Sequence, residues 1–195
     1  MRIVPRNYIK YKAANSFFTG LTVGAIFTIY SALEPSIFSV GGIVLALGML
    51  AVARFYEKIM KLKIFFLISL FVELVMLVLI LWYMAMPYKT VSALLIYAGY
   101  QLTFVFGSYL VRAETLFLNR KKILSWIDMA KQAGYLAGLL VSWLFYKALE
   151  RFWQISDRFE QVYLLHWLLL VTEVSIILLL FFSFEKIKIK TARPA

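Results

Sequence analysis

The chain has 195 residues, of which 63% are hydrophobic, and its mean hydropathy is +0.83. A soluble domain of this length would be about half apolar, so the composition excludes an ordinary soluble globular protein and indicates that lipid surrounds much of the chain. The net charge of +11 does not indicate nucleic-acid binding, because the basic residues are divided among separate segments and form no single patch.

Six long apolar segments predict six transmembrane helices, and these make one all-α integral membrane domain over residues 1–195. A bilayer core about 30 Å thick requires about 20 apolar residues per helix, and each segment must satisfy its own backbone polar groups. The basic residues before the first span are also typical of a signal peptide, but no cleavage-site pattern follows, so we interpret that span as retained. The predicted spans are 14–33, 37–56, 64–86, 90–112, 124–148 and 162–184.

Lys and Arg collect on alternate connectors. Sixteen of the 21 lie in the N-terminal tail, the second connector, the fourth connector and the C-terminal tail, with four in each. The positive-inside rule therefore places both termini in the cytoplasm, and six spans is the even number that this orientation requires. We predict an integral protein of a bacterial cytoplasmic (inner) membrane.

The fifth connector, 151–163, is the longest. Its apolar residues Phe152, Ile155, Phe159 and Val162 recur at helical spacing. This pattern predicts either a short helix on the outer membrane surface or an outward extension of the sixth span.

Two short sequence matches are consistent with an inverted repeat of three helices, a common way of building transporters. Lys63 begins a segment that reaches Glu73 ten residues later, and Tyr163 begins a segment that reaches Glu173 at the same distance. Each glutamate lies in the third span of its group of three. The second spans share a Phe-Tyr pair near their ends, at residues 55–56 and 145–146.

The connector between the second and third spans carries a family resemblance. The major facilitator superfamily has a motif there of the form G-x-x-x-D-R-x-G-R-R, and residues 53–63 read ARFYEKIMKLK. Glu57 matches the acidic position and Lys58 and Lys61 match basic ones, whereas Ala53 and Met60 replace the two glycines. In the family this stretch clamps the cytoplasmic ends of helices through charge pairs, so the resemblance implies a similar role for these three charged residues.

The fifth span, with Gly134 and Gly138 followed by Ser142, is similar to the glycine-rich fifth helix of many members of that family. A full member has about twelve spans in two halves, so this chain resembles one six-helix half. The resemblance implies a second half, supplied by another copy of the chain or by a different six-span subunit. It also implies a secondary transporter that moves a small, unidentified solute by alternating access.

Glu73 and Glu173 are the candidates for proton coupling, because each is predicted near the middle of the bilayer. A charged side chain there costs about 2.5 kcal/mol or more, so such residues are usually paired, protonated or functional. The alternative is that each glutamate braces the bundle by hydrogen bonding to a neighbouring helix.

Polar side chains follow one face of the first span and one face of the fourth, the two helices that line the cavity in the resembled family. A substrate cavity is one interpretation of these stripes, and hydrogen bonding between helices is the other. The candidate cavity residues are Asn15, Thr19 and Thr22 on the first span and Tyr97, Gln101 and Ser108 on the fourth.

Charged residues near the cytoplasmic ends form two further candidate groups. Asp128, Lys131 and Gln132 lie in the cytoplasmic part of the fifth span and could form a gate or simply a solvated helix end; the first two can pair, since they are three residues apart. Arg112 and Glu114, with Arg120, are predicted to form a cytoplasmic charge clamp.

Small residues recur four apart at Gly20 and Gly24, and again at Gly134 and Gly138. This spacing lets transmembrane helices approach closely, and we predict that these four glycines serve helix packing.

Catalytic and metal-binding patterns are not visible in the sequence. There is no cysteine, a single histidine and no phosphate-binding glycine loop. We therefore predict no enzyme activity, cofactor or metal. The two functions left open are a half-transporter, for which a proton is a candidate coupling ion, and a non-transporting membrane subunit or scaffold.

Overall fold

The computed structural model describes residues 1–87 and 89–185 of the chain. Four basic residues of the predicted cytoplasmic C-terminal tail, Lys186, Lys188, Lys190 and Arg193, lie outside the described residues. The described residues form an all-α fold with two very short strands. The helices are α1 Pro5–Tyr30, α2 Pro35–Arg54, α3 Tyr56–Ile59, α4 Leu62–Ala85, α5 Thr90–Val105, α6 Gly107–Phe117, α7 Lys121–Phe152 and α8 Arg158–Phe182, and the strands are β1 Arg2–Ile3 and β2 Phe184–Glu185.

Five helical segments in the described part of the chain are long and apolar enough to cross a membrane: α1, α2, α4, the α5–α6 segment and α8. The predicted fifth span corresponds to α7, which is the longest helix but is not among these five. Its glycine, aromatic and charged residues lower its apolarity, although its length of 32 residues, about 48 Å, exceeds a bilayer core.

Several helices extend beyond the predicted spans. α1 begins at Pro5, not near residue 14, because proline suits the first turn of a helix and the basic residues that follow continue it. α7 runs beyond both predicted ends. The observed bounds of α2 and α4 lie within two residues of the predicted ones.

The predicted fourth span is interrupted at Phe106, between α5 and α6. The backbone N–H of Phe106 donates to the carbonyl of Thr103 at 3.2 Å, a tighter turn than the α-helical one, and Gly107 follows. Helix breaks of this kind change the direction of a span.

The connector before α8 resolves the two alternatives for residues 151–163. No separate surface helix forms; α8 starts at Arg158, so the outward extension of the sixth span is what the structure contains. Asp157 caps its first turn by accepting a hydrogen bond from the backbone N–H of Glu160 at 3.0 Å. Such caps satisfy backbone donors that lack a partner inside the helix.

Contacts between helices define the bundle. α1 packs along α7 and α8, α4 packs against α8 and α5, and α2 packs mainly against α5. No residue of α2 is buried, so this helix touches the bundle along one side only.

The two ends of the described chain meet at one end of the bundle. β1 and β2 pair antiparallel, and Arg2 forms an ion pair with Glu185 at 2.7 Å. The Asn7 side chain donates to the backbone carbonyl of Phe182 at 2.9 Å. The start of α1 and the end of α8 therefore lie next to each other.

Candidate functional site

Glu73 is buried near the middle of α4, at 1% exposure, and α1 supplies its donors. The Tyr11 hydroxyl donates to its Oε1 atom at 2.5 Å, and the Asn15 amide donates at 3.0 Å to Oε1 and 3.3 Å to Oε2. The carboxyl group of Glu73 is therefore hydrogen-bonded by two side chains of α1.

Glu173 on α8 is completely buried, and neither of its oxygens accepts a hydrogen bond from a donor among the described residues. Its carboxyl group lies against that of Glu73, which it can hydrogen-bond only if one of the two carries a proton. Two ionised carboxylates cannot share a site of low dielectric. We call these two residues the carboxyl pair.

The sequence places each glutamate inside a buried helical stripe. On both helices the buried residues recur every three or four positions, which is one face of an α-helix. Because α4 packs against α8 along these faces, the two carboxyl groups meet. The stripe on α4 is Phe65, Ser69, Glu73, Met76 and Ile80, and that on α8 is Val162, Leu165, Leu169, Glu173, Ile176 and Leu180.

A second polar group surrounds the buried Glu114 of α6. Lys12 of α1 lies 3.2 Å from its Oε2 atom, Lys131 of α7 lies 2.5 Å from Oε1, and the Tyr8 hydroxyl donates to Oε2 at 2.9 Å. Three helices are thereby joined through one carboxylate. We call these four residues the Glu114 cluster.

Glu114 of the predicted charge clamp does form ion pairs, but with two lysines and not with the predicted arginines. Arg112 lies over the ring of Tyr56, and neither it nor Arg120 forms an ion pair in the described part of the chain. The cations are lysines of α1 and α7, because those helices pack beside α6 at this end. Lys131 also lies 3.6 Å from Asp128, so this predicted pair is present at the exposed end of the cluster, whereas Gln132 is exposed.

The charged residues of the motif-like connector stand apart from the Glu114 cluster. Glu57 and Lys58 are exposed on α3 and Lys61 follows it, and none forms an ion pair within residues 1–87 and 89–185. Lys58 lies over the ring of Phe55 instead.

The six predicted cavity residues are not gathered at one site. Asn15 bonds to Glu73, the Thr19 and Thr22 hydroxyls donate to backbone carbonyls of α1, and Ser108 is exposed. Thr22 also lines a void of only about 20 Å³ with Tyr100 and His166. Tyr97 and Gln101 are separate from these and face α2.

An open groove of about 970 Å³ runs between α2 and α5. Its walls are mostly Val, Leu, Ile and Gly, with Tyr97 and Gln101 as the main polar residues. The Tyr97 hydroxyl donates to the carbonyl of Phe38 at 3.2 Å, and the Gln101 side-chain oxygen has no hydrogen-bond donor among the described residues. This groove is open and mainly apolar.

Three of the four predicted packing glycines lie where α1 crosses α7. A Cβ atom on Gly134 would lie 2.2 Å from the carbonyl oxygen of Ala13, and one on Gly138 would lie 2.1 Å from that of Phe17. Gly20 faces the same crossing, whereas Gly24 faces the ring of Tyr146. Only glycine permits this backbone-to-backbone approach.

Tyr8, Tyr11 and Lys12 are the site residues that the sequence did not reveal. They occupy the first turns of α1, a segment that the hydropathy pattern assigns to the N-terminal tail. The one available signal is their spacing, since two tyrosines three residues apart followed by a lysine lie on one helical face.

No protein-family model, curated protein or solved structure matches this chain. Within the described residues no group of three potential ligands could hold a metal ion. What the structure supports directly is an all-α membrane protein, with several helices long and apolar enough to cross a bilayer.

Proposed function

We propose that this chain is one six-helix half of a secondary transporter, which works with a second copy of itself and moves a small solute by alternating access. The observation that carries the proposal is the pattern of helix contacts. This pattern fits an inverted duplication of a three-helix unit. It also leaves one side of the bundle, at α2, uncovered by other helices.

The contacts between helices form equivalent pairs when the first three long segments are exchanged for the last three. We number the six long segments in chain order, α1, α2, α4, α5–α6, α7 and α8, and exchange the first three for the last three. The contact of α1 with α7 then becomes that of α5 with α2, and the contact of α1 with α8 becomes that of α5 with α4. The contact of α4 with α8 maps onto itself. Inverted three-helix repeats of transporters have this relationship.

The carboxyl pair lies on the axis that this exchange implies. Glu73 and Glu173 are equivalent under it and touch each other, as residues next to a local twofold axis do. The first helices of the two units also share a tyrosine spacing, with Tyr8 and Tyr11 in α1 and Tyr97 and Tyr100 in α5. Both features support a duplication.

The pairing of β1 with β2 supports six crossings. Five crossings would leave the two ends of the chain on opposite faces of the membrane, but the strands hold them side by side. We therefore propose that α7 also crosses. The basic second and fourth connectors lie at this same end, since Leu62 and Arg120 line one pocket together with Arg2 of β1. The positive-inside rule makes this end cytoplasmic.

The uncovered side of the bundle supports a second half. α2 has no buried residue and borders the apolar groove, whereas α4 packs against both α5 and α8. A second copy related by a twofold axis along the membrane normal would cover α2 and enclose the polar face of α1.

Water access tests this proposal without a known substrate. The chain has no cysteine, so single cysteines can be introduced directly. Thr19→Cys and Ser108→Cys, on exposed positions of α1 and α6, should react with a charged, membrane-impermeant maleimide in liposomes. A thiol reacts as the thiolate, which forms only in contact with water. Leu178→Cys, on the exposed face of α8, is the control and should remain unlabelled because it faces lipid.

The alternative is a non-transporting subunit or scaffold, and the hydrogen bonding of Glu73 by Tyr11 and Asn15 favours it. In a scaffold the interface at α1 is dry, so neither Thr19→Cys nor Ser108→Cys would be labelled from water. That result would replace the transporter proposal with the scaffold.

A further inference from the structure

The carboxyl pair is connected to the surface at the end of the bundle where the chain begins. Tyr11, which donates to Glu73, and Tyr8, which donates to Glu114, lie three residues apart on α1. Their ring centroids are 5.6 Å apart. Glu114 in turn contacts Lys131, whose side chain is 24% exposed. Groups that can carry a proton are thus spaced between the protein surface and the buried pair, and each of the two tyrosine hydroxyls donates to a glutamate and not to the other tyrosine.

The arrangement around Glu173 differs from that of a structural brace. Bracing glutamates in membrane helices are satisfied by donors on neighbouring helices. Glu73 has such donors, but Glu173 is fully buried with no donor other than a protonated Glu73 among the described residues. The pair is therefore complete only with an added proton.

We propose that Glu73 and Glu173 form one proton-binding site, in which a single acidic proton is shared between the two carboxyl groups and exchanges with the chain-terminal end of the bundle through Tyr11, Tyr8 and Glu114. This inference deepens the proposed function, because it identifies the coupling ion and its binding site, and its use in transport rests on that proposal.

Charged and titratable groups face the pair from two other helices. Tyr11 and Lys12 approach Glu73 from α1, and Tyr100 of α5 lies near Glu173. With one proton the pair carries a single negative charge, which Lys12 partly balances while it also contacts Glu114. A second proton would make the pair neutral. Binding and release of this second proton change the charge of the pair by one, whereas loss of the shared proton leaves two carboxylates in contact and therefore requires alkaline buffer.

Transfer along this route conserves protons at each step. A proton from the surface binds Glu114 and passes to Tyr8, Tyr8 passes its own proton to Tyr11, and Tyr11 gives its own to Glu73, so each tyrosine ends with a hydroxyl proton. Release reverses the sequence. Tyr100 interacts with Glu173 and Thr22 and is not part of this route.

Infrared spectroscopy of the purified full chain in lipid nanodiscs tests the site directly. A protonated carboxylic acid has a carbonyl stretch that is separate from the amide bands and that shifts when its proton is replaced by deuterium. The wild-type protein should show this band at neutral pH and lose it in alkaline buffer. Glu173→Gln should shift or remove the band, because Glu73 then faces an amide in place of a carboxyl group. The double variant Glu73→Gln/Glu173→Gln should lack it at neutral pH.

Deuterium exchange tests the route. Tyr11→Phe removes the hydroxyl next to Glu73 and should slow the deuterium shift of the band. Tyr100→Phe is the matched control, and its exchange should match that of the wild type. The inference is overturned if the wild type has no protonated carboxyl band, if the band persists in the double variant, or if Tyr11→Phe exchanges as fast as Tyr100→Phe.

The spectra and the labelling of cysteines fail independently. If the band titrates but Thr19→Cys is not labelled from water, the proposal of a proton-binding site stands and the transporter proposal is wrong. If Thr19→Cys is labelled but the protonated carboxyl band is missing, the transporter proposal stands and the proposal of a proton-binding site is wrong.

Discussion

Gly20 and Gly138 face each other where α1 crosses α7, and a Cβ atom added to either one would lie 3.0 Å from the Cα of the other. The contact is between backbones, so neither helix can move aside for a side chain without separating the pair. The interface between α1 and α7 therefore requires a hydrogen atom, and no side chain, at the α-carbons of Gly20 and Gly138.

Gly138→Ala should destabilise the protein by about 1–3 kcal/mol, the usual effect of overfilling a close contact. The added methyl group would lie 2.1 Å from the carbonyl oxygen of Phe17. Gly42→Ala is the control, because nothing lies within 4 Å of a Cβ there. Thermal unfolding in mild detergent should separate the two variants, and an equal midpoint for both would contradict the contact.

Glu114→Gln should lower the free energy of unfolding by about 1.5–3 kcal/mol, the range for hydrogen bonds to charged groups. The change removes the carboxylate that joins Lys12 and Lys131 and leaves the two ammonium groups facing each other. Glu150→Gln breaks an exposed ion pair with Lys147 and should have no measurable effect. Chemical denaturation measures the free energy of unfolding of both variants. A similar decrease in both would show that the ion pairs of Glu114 stabilise the protein no more than an exposed ion pair does.

The two connectors that flank α7 should lie on opposite sides of the membrane. Asn119→Cys precedes α7 and Ser156→Cys follows it, and both positions are exposed. With a membrane-impermeant maleimide on intact cells, Ser156→Cys should react at once and Asn119→Cys only after the membrane is permeabilised. Labelling of both before permeabilisation, or of neither, would mean that α7 does not cross.

Copies of the chain should meet through α2. Leu47→Cys lies on the exposed face of α2 and Leu178→Cys on that of α8, with exposures of 62% and 53%. Mild oxidation in membranes should produce a disulfide-linked dimer from Leu47→Cys, and much less from Leu178→Cys, as judged by non-reducing electrophoresis. Dimers of Leu178→Cys alone would place the interface on the other side of the bundle.

Gln154→Gly should raise the free energy of unfolding by about 1 kcal/mol. Gln154 has a φ of 57°, which disfavours residues with a side chain by about 1–2 kcal/mol. It ends α7 in a helix-closing turn, in which the N–H of Ile155 donates to the carbonyl of Leu149 at 3.1 Å. Gln154→Ala retains the strain and serves as control. A midpoint of thermal unfolding for the glycine variant no higher than that of the alanine variant would be inconsistent with this geometry.

Hydropathy predicted the apolar middle of each long helix well, as the bounds of α2 and α4 show. It failed at helix ends whose polar residues have partners inside the protein. Lys12 lies outside the predicted first span, yet it is within α1, where it forms an ion pair with Glu114. A hydropathy window registers the charge of such a residue but not its partner.

The sequence identified Glu73 and Glu173 separately, each on its own helix. Their contact depends on which face of α4 meets α8, and no local pattern contains that information. The glycine spacing similarly predicted close packing, but not that α1 and α7 would be the two helices involved.

The pairing of β1 with β2 makes the described chain nearly a closed loop. A short peptide could join Glu185 to Arg2 of the same molecule, and the chain could then be opened at another connector as a circular permutant. The same geometry allows a tandem gene fusion, in which a second copy follows the first in the same orientation without an additional crossing. One continuous polypeptide of twice this size could therefore arise in a single genetic step.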